Sequence, residues 1–299
     1  MELRLLRSFV VLSEELHFGR AAERLCIVQP ALSMQLRSLE REIGVRLFDR
    51  DRHSVKLTAA GRVFLPEAQA TLAQAARARQ MVQAAEAGEL GVIRLGFVSS
   101  ILPGYLPGLI RALRARYPLI EVDLKDMSSP EQLSALKANK IDFGFVRLPI
   151  DDRQVRSRAL LAESFVVAMP ADHPLSASAA VGPEDLADCP VFFLARRFAP
   201  GFYDEFMRVF RQRGPALRVA RELGEFTTMA ALVSAGLGVG IIPRLAMAAR
   251  FDNVVVRDLA FPGLESRIGL AWLELESSLK RTFFEVAIQA AGNALVPED

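Results

Sequence analysis

Residues 18 to 43, FGRAAERLCIVQPALSMQLRSLEREI, restrict the possible folds of this chain more than any other stretch. The run reads as two short helices joined by a tight turn. In the second helix Leu32, Leu36, Leu39 and Ile43 recur at helical spacing and form one apolar stripe. Ser33, Met34, Arg37, Ser38 and Arg41 stand on the other side. A helix that buries such a stripe and turns small polar and basic residues outward fits a DNA major groove.

The flanking segments suit that reading. Residues 2–16 predict a first helix that sends Leu6, Phe9, Val10 and Leu16 to a core, with His17 at its end and Gly19 as the break. Residues 20–26 predict a second helix whose Ala21, Ala22 and Leu25 let a neighbour approach closely. Val28, Gln29 and Pro30 make the turn, because proline suits the first position of a helix. After Gly44, VRLFDRDRHSVKLT holds two β-like runs around a polar tip, a wing that carries Arg50, Arg52, His53 and Lys56. A helix-turn-helix followed by a wing is a DNA-binding layout. Cations on a wing are either phosphate contacts or ordinary surface charge, and the adjacent helix-turn-helix favours phosphate. Gln29, Pro30, Ser33, Met34 and Arg37 are thus the expected groove residues, with Arg50, His53 and Lys56 on the phosphates.

Thr58 is expected to cap a long helix over residues 59–87. Along it Leu65, Ala68, Leu72, Ala75, Arg79 and Val82 alternate three and four apart, the spacing of a coiled-coil seam. Such a stripe packs on its own chain or on a second copy. A helix projecting from a small domain favours the copy, so a dimer is expected. Gly88 and Gly91 read as the helix end and a hinge.

The chain has 299 residues, enough for two or three domains. It is 51% hydrophobic and 24% charged, a globular composition, and its net charge of +2 does not by itself advertise nucleic-acid binding. Cys26 and Cys189 lie far apart among apolar neighbours and are expected to be reduced and buried. His17, His53 and His173 share no metal-ligand spacing, so neither metal nor cofactor is expected. The segment MELRLLRSF is not a signal peptide in pattern, and no apolar run approaches the roughly 20 residues that cross a bilayer. A soluble, cytoplasmic protein is the expectation.

From residue 92 strands and helices alternate. VIRLGFV, IEVDLKDM and IDFGFV read as strands separated by helices near 103–117 and 130–139, a βαβαβ pattern with a parallel sheet. ESFVVAMP, residues 163–170, reads as a strand leaving for a second lobe, and RIGLAWLE, 267–274, as one returning before a closing helix over 277–294. The expected lobes are 91–162 with 267–299, and 163–266. A cleft between two α/β lobes is a small-molecule site.

Ligands of parallel sheets bind beyond the carboxyl ends of the strands. Ser99 and Ser100 follow the first strand, Ser129 the second and Arg147 the third. Ser129 would open its helix as a capping box with Gln132. Each serine alone is equally well a plain helix cap. Together with Arg147 and the helix amides they point to an anion site, most simply for a carboxylate. Phe202 and Thr227 of the second lobe begin helices that face the same cleft. GLGVGIIP, residues 236–243, follows a helix and precedes a strand, the wrong order for a dinucleotide loop, so its glycines read as a helix end and a tight turn into the strand. Arg196 and Arg197 are either a steering pair for anions or solvated surface charge. No serine has a histidine in a catalytic pattern and no GxSxG elbow occurs, which argues against an enzyme. A solute-binding protein with an accessory N-terminal domain remains the alternative.

This order of parts resembles the LysR-type transcriptional regulators along the whole chain. AAERLCIVQPALSMQLRSLEREIGVRLFDR followed by LTAAG carries the likeness most specifically. The resemblance implies an α+β multidomain fold: a winged helix-turn-helix over 1–58, a linker and dimerisation helix over 59–88, and a two-lobed effector domain like periplasmic binding proteins over 89–299. It also implies promoter DNA as partner, a dimer of dimers, and a small-molecule effector. GFVSSILPGYLP and SALKANKIDFGFVRLP are similar to the subgroup that senses muconate or benzoate during aromatic-compound degradation. That likeness carries effector contacts to Ser100, Ser129, Arg147 and Phe202. Two departures stand out. Met34 occupies a groove position where relatives often carry a basic or polar residue, and Ser128 beside Ser129 leaves open which hydroxyl faces the ligand.

Overall fold

The computed structural model describes residues 1–50, 55–215, 217–247 and 251–292. The chain forms two compact units, Met1–Ala84 and Ala85–Asp299.

The first unit comprises α1 (Leu3–Glu15), α2 (Phe18–Arg24), α3 (Gln29–Ile43), the hairpin β1 (Phe48–Arg50) and β2 (Val55–Leu57), and most of α4 (Ala59–Ala87). Helix α1 ends earlier than Gly19. Leu16 adopts a left-handed conformation, and His17 then caps α2, its Nδ1 accepting from the Arg20 amide at 3.2 Å. The imidazole satisfies an amide that the first helical turn cannot, so Gly19 sits inside α2 and breaks nothing. Pro30 falls in the first turn of α3, and Gly44 ends that helix at φ 84°. Leu32, Leu36 and Leu39 are fully buried against Leu6, Phe9 and Leu12. Glu40 fastens the wing to α3, because its Oε1 accepts from the amides of Leu47 and Phe48. Thr58 caps α4 as its position predicts, accepting from the Gly61 amide at 2.9 Å. A side chain at position 61 would place its Cβ 2.1 Å from the Leu47 carbonyl oxygen, so only glycine lets α4 start this close to the wing.

The second unit begins with β3 (Leu90–Phe97), α5 (Leu106–Arg116), β4 (Leu119–Asp126), α6 (Ser129–Lys137) and β5 (Phe143–Leu148). These three strands are parallel, in the order β4-β3-β5. Next comes β6 (Arg156–Pro170). The second lobe adds β7 (Ala180–Val181), β8 (Val191–Leu194), α7 (Pro200–Arg213), β9 (Val219–Leu223), α8 (Phe226–Ser234), β10 (Val239–Pro243) and β11 (Val254–Leu259). Strand β12 (Glu265–Trp272) and α9 (Ser278–Ala291) close the chain.

Strand β6 differs from expectation. It is one strand of 15 residues rather than a new strand at 163. Residues 156–164 pair with β12 in the first lobe, and 165–170 pair with β10 and β11 in the second. The break in its hydrophobicity at Glu163-Ser164 marks where it changes lobes. The sequence pattern predicts no strand at β11. Its sequence VVVRDL is only half-buried and alternates poorly. Each lobe has its own core: Phe165, Phe193, Phe202, Phe206 and Phe210 dominate the second, Phe143, Phe145, Leu270 and Phe283 the first.

Gly88, expected as part of a hinge, is held tightly. Its φ is +75°, and a Cβ there would lie 2.4 Å from the Ser278 carbonyl carbon at the start of α9. Gly236 (φ +77°) ends α8, and Gly238 leads directly into β10, so the GLGVGIIP glycines have backbone roles. Both cysteines are free, but neither is buried: Cys26 is exposed in the turn after α2 and Cys189 is half-buried. Among the described residues no helix is long and apolar enough to cross a membrane.

Candidate nucleic-acid interface and effector cavity

Helix α3 turns Gln29, Pro30, Met34 and Arg37 to solvent, with Ser33 half-buried beside them. Met34 is 69% exposed, the most exposed large apolar side chain of this helix. No side chain caps the helix N-terminus; Pro30 brings no amide hydrogen, and the amides of Ala31 and Leu32 donate to the Val28 carbonyl. Lys56 is exposed on β2, and Arg50 pairs through its backbone with Val55. The Arg50 side chain, Arg52 and His53 lie outside what the structure describes. The basic residues of α2 are already engaged, since Arg24 bridges Glu14 and Glu15 and Arg20 bonds Glu15.

The stripe expected to dimerise divides in two. Ala68 is buried in the first unit's own core, and Leu65 and Leu72 pack against that core. Ala75 borders a shallow surface groove with Leu3 and Ala78, while Arg79 and Val82 are exposed. Val63 is 73% exposed on the same helix, off the expected seam.

In the second unit a cavity of about 240 Å³ opens between the lobes. Its first-lobe wall is built at the carboxyl ends of β3, β4 and β5 by Ser99, Ser100, Asp126, Ser128, Glu131 and Arg147. Its second-lobe wall is Leu194, Phe198, Glu225 and Phe226. Ser99, Ser100 and Arg147 therefore lie where strand-end reasoning puts them. Ser129 and Phe202 are buried behind the lining, and Thr227 is half-buried beside it without lining the cavity.

Arg147 organises this region. It is 2% exposed, and the rings of Phe202 and Phe226 lie 5.0 and 4.8 Å from its guanidinium carbon. It donates to Ser100 Oγ at 2.7 Å and to Ser266 Oγ, and Glu163 Oε1 is 3.7 Å away. Glu163 is buried too, and accepts from the Leu245 amide at 2.6 Å. Burial lowers the Arg147 pKa to about 10, against the opposing pull of Glu163, so the side chain stays charged at neutral pH. Burial likewise raises the Glu163 carboxyl, and Arg147 works against that shift.

The helix cap is displaced by one residue from the expected capping box. Ser128, not Ser129, caps α6: its Oγ accepts from the Glu131 amide, and Glu131 Oε2 accepts from the Ser128 amide at 2.8 Å and hydroxyl at 2.7 Å. A carboxylate answers an orphan amide better than the Gln132 amide group would. Gln132 instead donates to the Met127 and Phe145 carbonyls, and the freed Ser129 Oγ accepts from the Arg147 amide at 3.0 Å. Ser128 thus meets the cavity, and Ser129 holds the backbone beneath the arginine. Phe202 acts on the same arginine through its ring, and Thr227 donates to Glu225 at 3.2 Å.

The cavity also has an acidic side that the sequence pattern does not predict. Asp126, Glu131 and Glu225 line it, and the Asp126 carboxyl is raised by burial and then by the like charges of Glu225 and Glu131. Asp126 ends a strand and was visible in the same way as the serines; Glu163 and Ser266 carry no local signal. Of the two outlying arginines, Arg196 pairs with Asp204 at 2.7 Å and Arg197 lies over the Phe198 ring at 4.8 Å.

Comparison with known proteins agrees along nearly the whole chain. Residues 3–62 match the family model of bacterial regulatory helix-turn-helix proteins of the lysR family, and residues 86–292 match the LysR substrate binding domain. The transcriptional regulator AlsR of Bacillus subtilis is 35% identical over 246 residues, covering 82% of each chain. The regulator BenM of Acinetobacter baylyi is 34% identical over 280 residues, covering 93% of this chain and 92% of that protein. The crystal structure of CbnR, a LysR family transcriptional regulator, superposes with a TM-score of 0.85 at 27% identity over 96% of this chain and 100% of that one. CbnR bound to its target DNA gives 0.78 at 26% identity, over 97% and 100%. These matches are regulators, not enzymes.

Proposed function

The chain belongs to the LysR family of DNA-binding transcriptional regulators, and from that premise we propose that a small carboxylate in the interlobe cavity governs how it binds its promoter. The observation that carries this reading is Arg147, a buried guanidinium on the wall of a cavity beside the serines that end β3. A ligand carboxylate beside Ser99, Ser100 and Arg147 meets donors already held in place. On the DNA side, α3 enters the major groove with Gln29, Pro30, Ser33, Met34 and Arg37. Arg50, His53 and Lys56 take phosphates. Met34 cannot donate to a base edge, and it reads a thymine methyl instead.

The division of labour is a DNA-reading module to residue 58, a linker helix over 59–88 and an effector module beyond. The linker pairs two copies through its exposed side, and two such dimers assemble on an interrupted inverted repeat. Among effectors, the likeness of GFVSSILPGYLP and SALKANKIDFGFVRLP to the muconate- and benzoate-sensing subgroup favours an organic acid whose carboxylate meets this wall. A footprint of the purified protein on its own upstream region tests the reading. Two protected half-sites are expected, with spacing that changes when an effector is added. No protection in either condition refutes it.

A further inference from the structure

The charge on the cavity wall narrows the ligand beyond a carboxylate. Arg147 is the sole cation among the described residues that line the cavity, and Glu163 already faces it from behind at 3.7 Å. The cavity lining also carries three carboxylates, Asp126 and Glu131 on the first-lobe wall and Glu225 on the second. The two helix N-termini at the cleft hold acids of their own: Glu131 closes the capping box of α6, and Glu225 occupies the N-cap position of α8. A doubly charged acid entering here meets one arginine whose charge is largely answered and three carboxylates that repel it.

The two signs are also separated in space. In the strand order β4-β3-β5, Asp126 ends β4 and Glu131 lies in the helix that follows it, whereas Arg147 stands on β5, with Ser99 and Ser100 after β3 between them. The cavity therefore has an acidic end, spanning both lobes, and an end formed by the Ser99 and Ser100 hydroxyls and Arg147. We propose that the effector is a zwitterion, a small molecule whose carboxylate lies against Ser99, Ser100 and Arg147 and whose ammonium lies between Asp126, Glu131 and Glu225. The site is the cavity itself; the carboxylates decide what fills it. Asp126 and Glu225 belong to opposite lobes, and their like charge resists closure. An ammonium placed between them removes that repulsion, so binding is coupled to drawing the lobes together. A simple benzoate or muconate lacks the group that would do this.

This inference rests on the reading of the cavity as the effector site, and matched probes keep the two separable. Calorimetric titration of the full-length protein would use 6-aminohexanoate, hexanoate, adipate and hexylamine, with phenylalanine and 3-phenylpropanoate as an aromatic pair. The zwitterion of each set should bind at least about tenfold more tightly than its carboxylate-only partner, the scale of one charge contact in a partly dry site. In Asp126→Asn/Glu225→Gln that advantage should shrink to within about threefold, while hexanoate and adipate gain affinity. Unfolding monitored at Trp272 checks that the variant is folded. Adipate or hexanoate binding the native protein as tightly as 6-aminohexanoate overturns the zwitterion and leaves the cavity as an effector site. Binding of none of the six overturns both.

Discussion

Glu163→Gln is the most direct test of how Arg147 is held. The two side chains are 2% and 4% exposed, with 3.7 Å between Nη1 and Oε1. At an effective dielectric of about 20, unit charges at that separation attract by about 4 to 5 kcal/mol. Glutamine keeps the shape and can still accept from the Leu245 amide, so the substitution removes the charge and little else. It leaves the guanidinium buried without a counter-ion, a situation that costs about 3 to 5 kcal/mol. For a domain of about 200 residues that lowers the melting temperature by roughly 10 °C. The chain has a single tryptophan, Trp272, buried in the first-lobe core, so its fluorescence during urea unfolding reports on this unit. Salt should change the loss little, because buried pairs are weakly screened. Asp204→Asn breaks the exposed pair with Arg196 and should leave the midpoint unchanged. In an Arg147→Met background Glu163→Gln should cost far less. A loss below about 1 kcal/mol, or the same loss in both backgrounds, refutes the electrostatic account.

Four further outcomes are expected. Ser129→Ala strands the Arg147 amide and costs about 1 to 3 kcal/mol by the same urea assay; Ser128→Ala loses a cap worth about 1 kcal/mol and also weakens effector binding in calorimetry. Gly88→Ala combines a left-handed backbone with a clash at Ser278 and should cost about 2 kcal/mol or more, against about 1 kcal/mol for Gly236→Ala, which has the backbone strain but open space around it. Asp126 has a folded-state pKa above its ordinary 3.8, so its stabilising contribution is complete below that pH and is lost as pH rises through the raised value. Asp126→Asn removes that loss, and the variant should melt above the native protein at pH 7, with the difference vanishing near pH 3. Lys56→Ala should reduce the slope of log affinity against log salt by about one unit in a DNA titration, and an unchanged slope refutes its phosphate contact.

Local pattern carried the DNA-binding unit because its information is local. The stripe of Leu32, Leu36 and Leu39 needs only a helical period, and Gly44 and Thr58 end or begin helices by backbone chemistry alone. The error there is a one-residue matter of capping, an imidazole at position 17 doing what a serine usually does; the same kind of slip recurs in the second unit, where Ser128 took the cap from Ser129 because Glu131 stands three residues on. The linker stripe misled more, because heptad spacing does not say which side of a helix meets its own chain. Ala68 turned inward while Val63, off the seam, stayed out.

The cavity was half legible for a related reason. Serines and an arginine at strand ends announce themselves, since topology alone brings strand ends together. Glu163 and Ser266 do not, because they reach Arg147 through pairing between segments about a hundred residues apart. They stand opposite each other in the β6–β12 ladder, at the register where β6 gives up β12 and takes β10 and β11 instead. The arginine on the cavity wall is thus anchored at the point where the shared strand passes from one lobe to the other. A charge brought to Arg147 acts on that crossing directly, through Ser266 and Glu163, with no intervening element. The same placement explains why the chain tolerates a buried ion pair that apolar residues would replace at no loss of stability. The pair fixes the orientation of the cavity's cation to the strand on which both lobes are built.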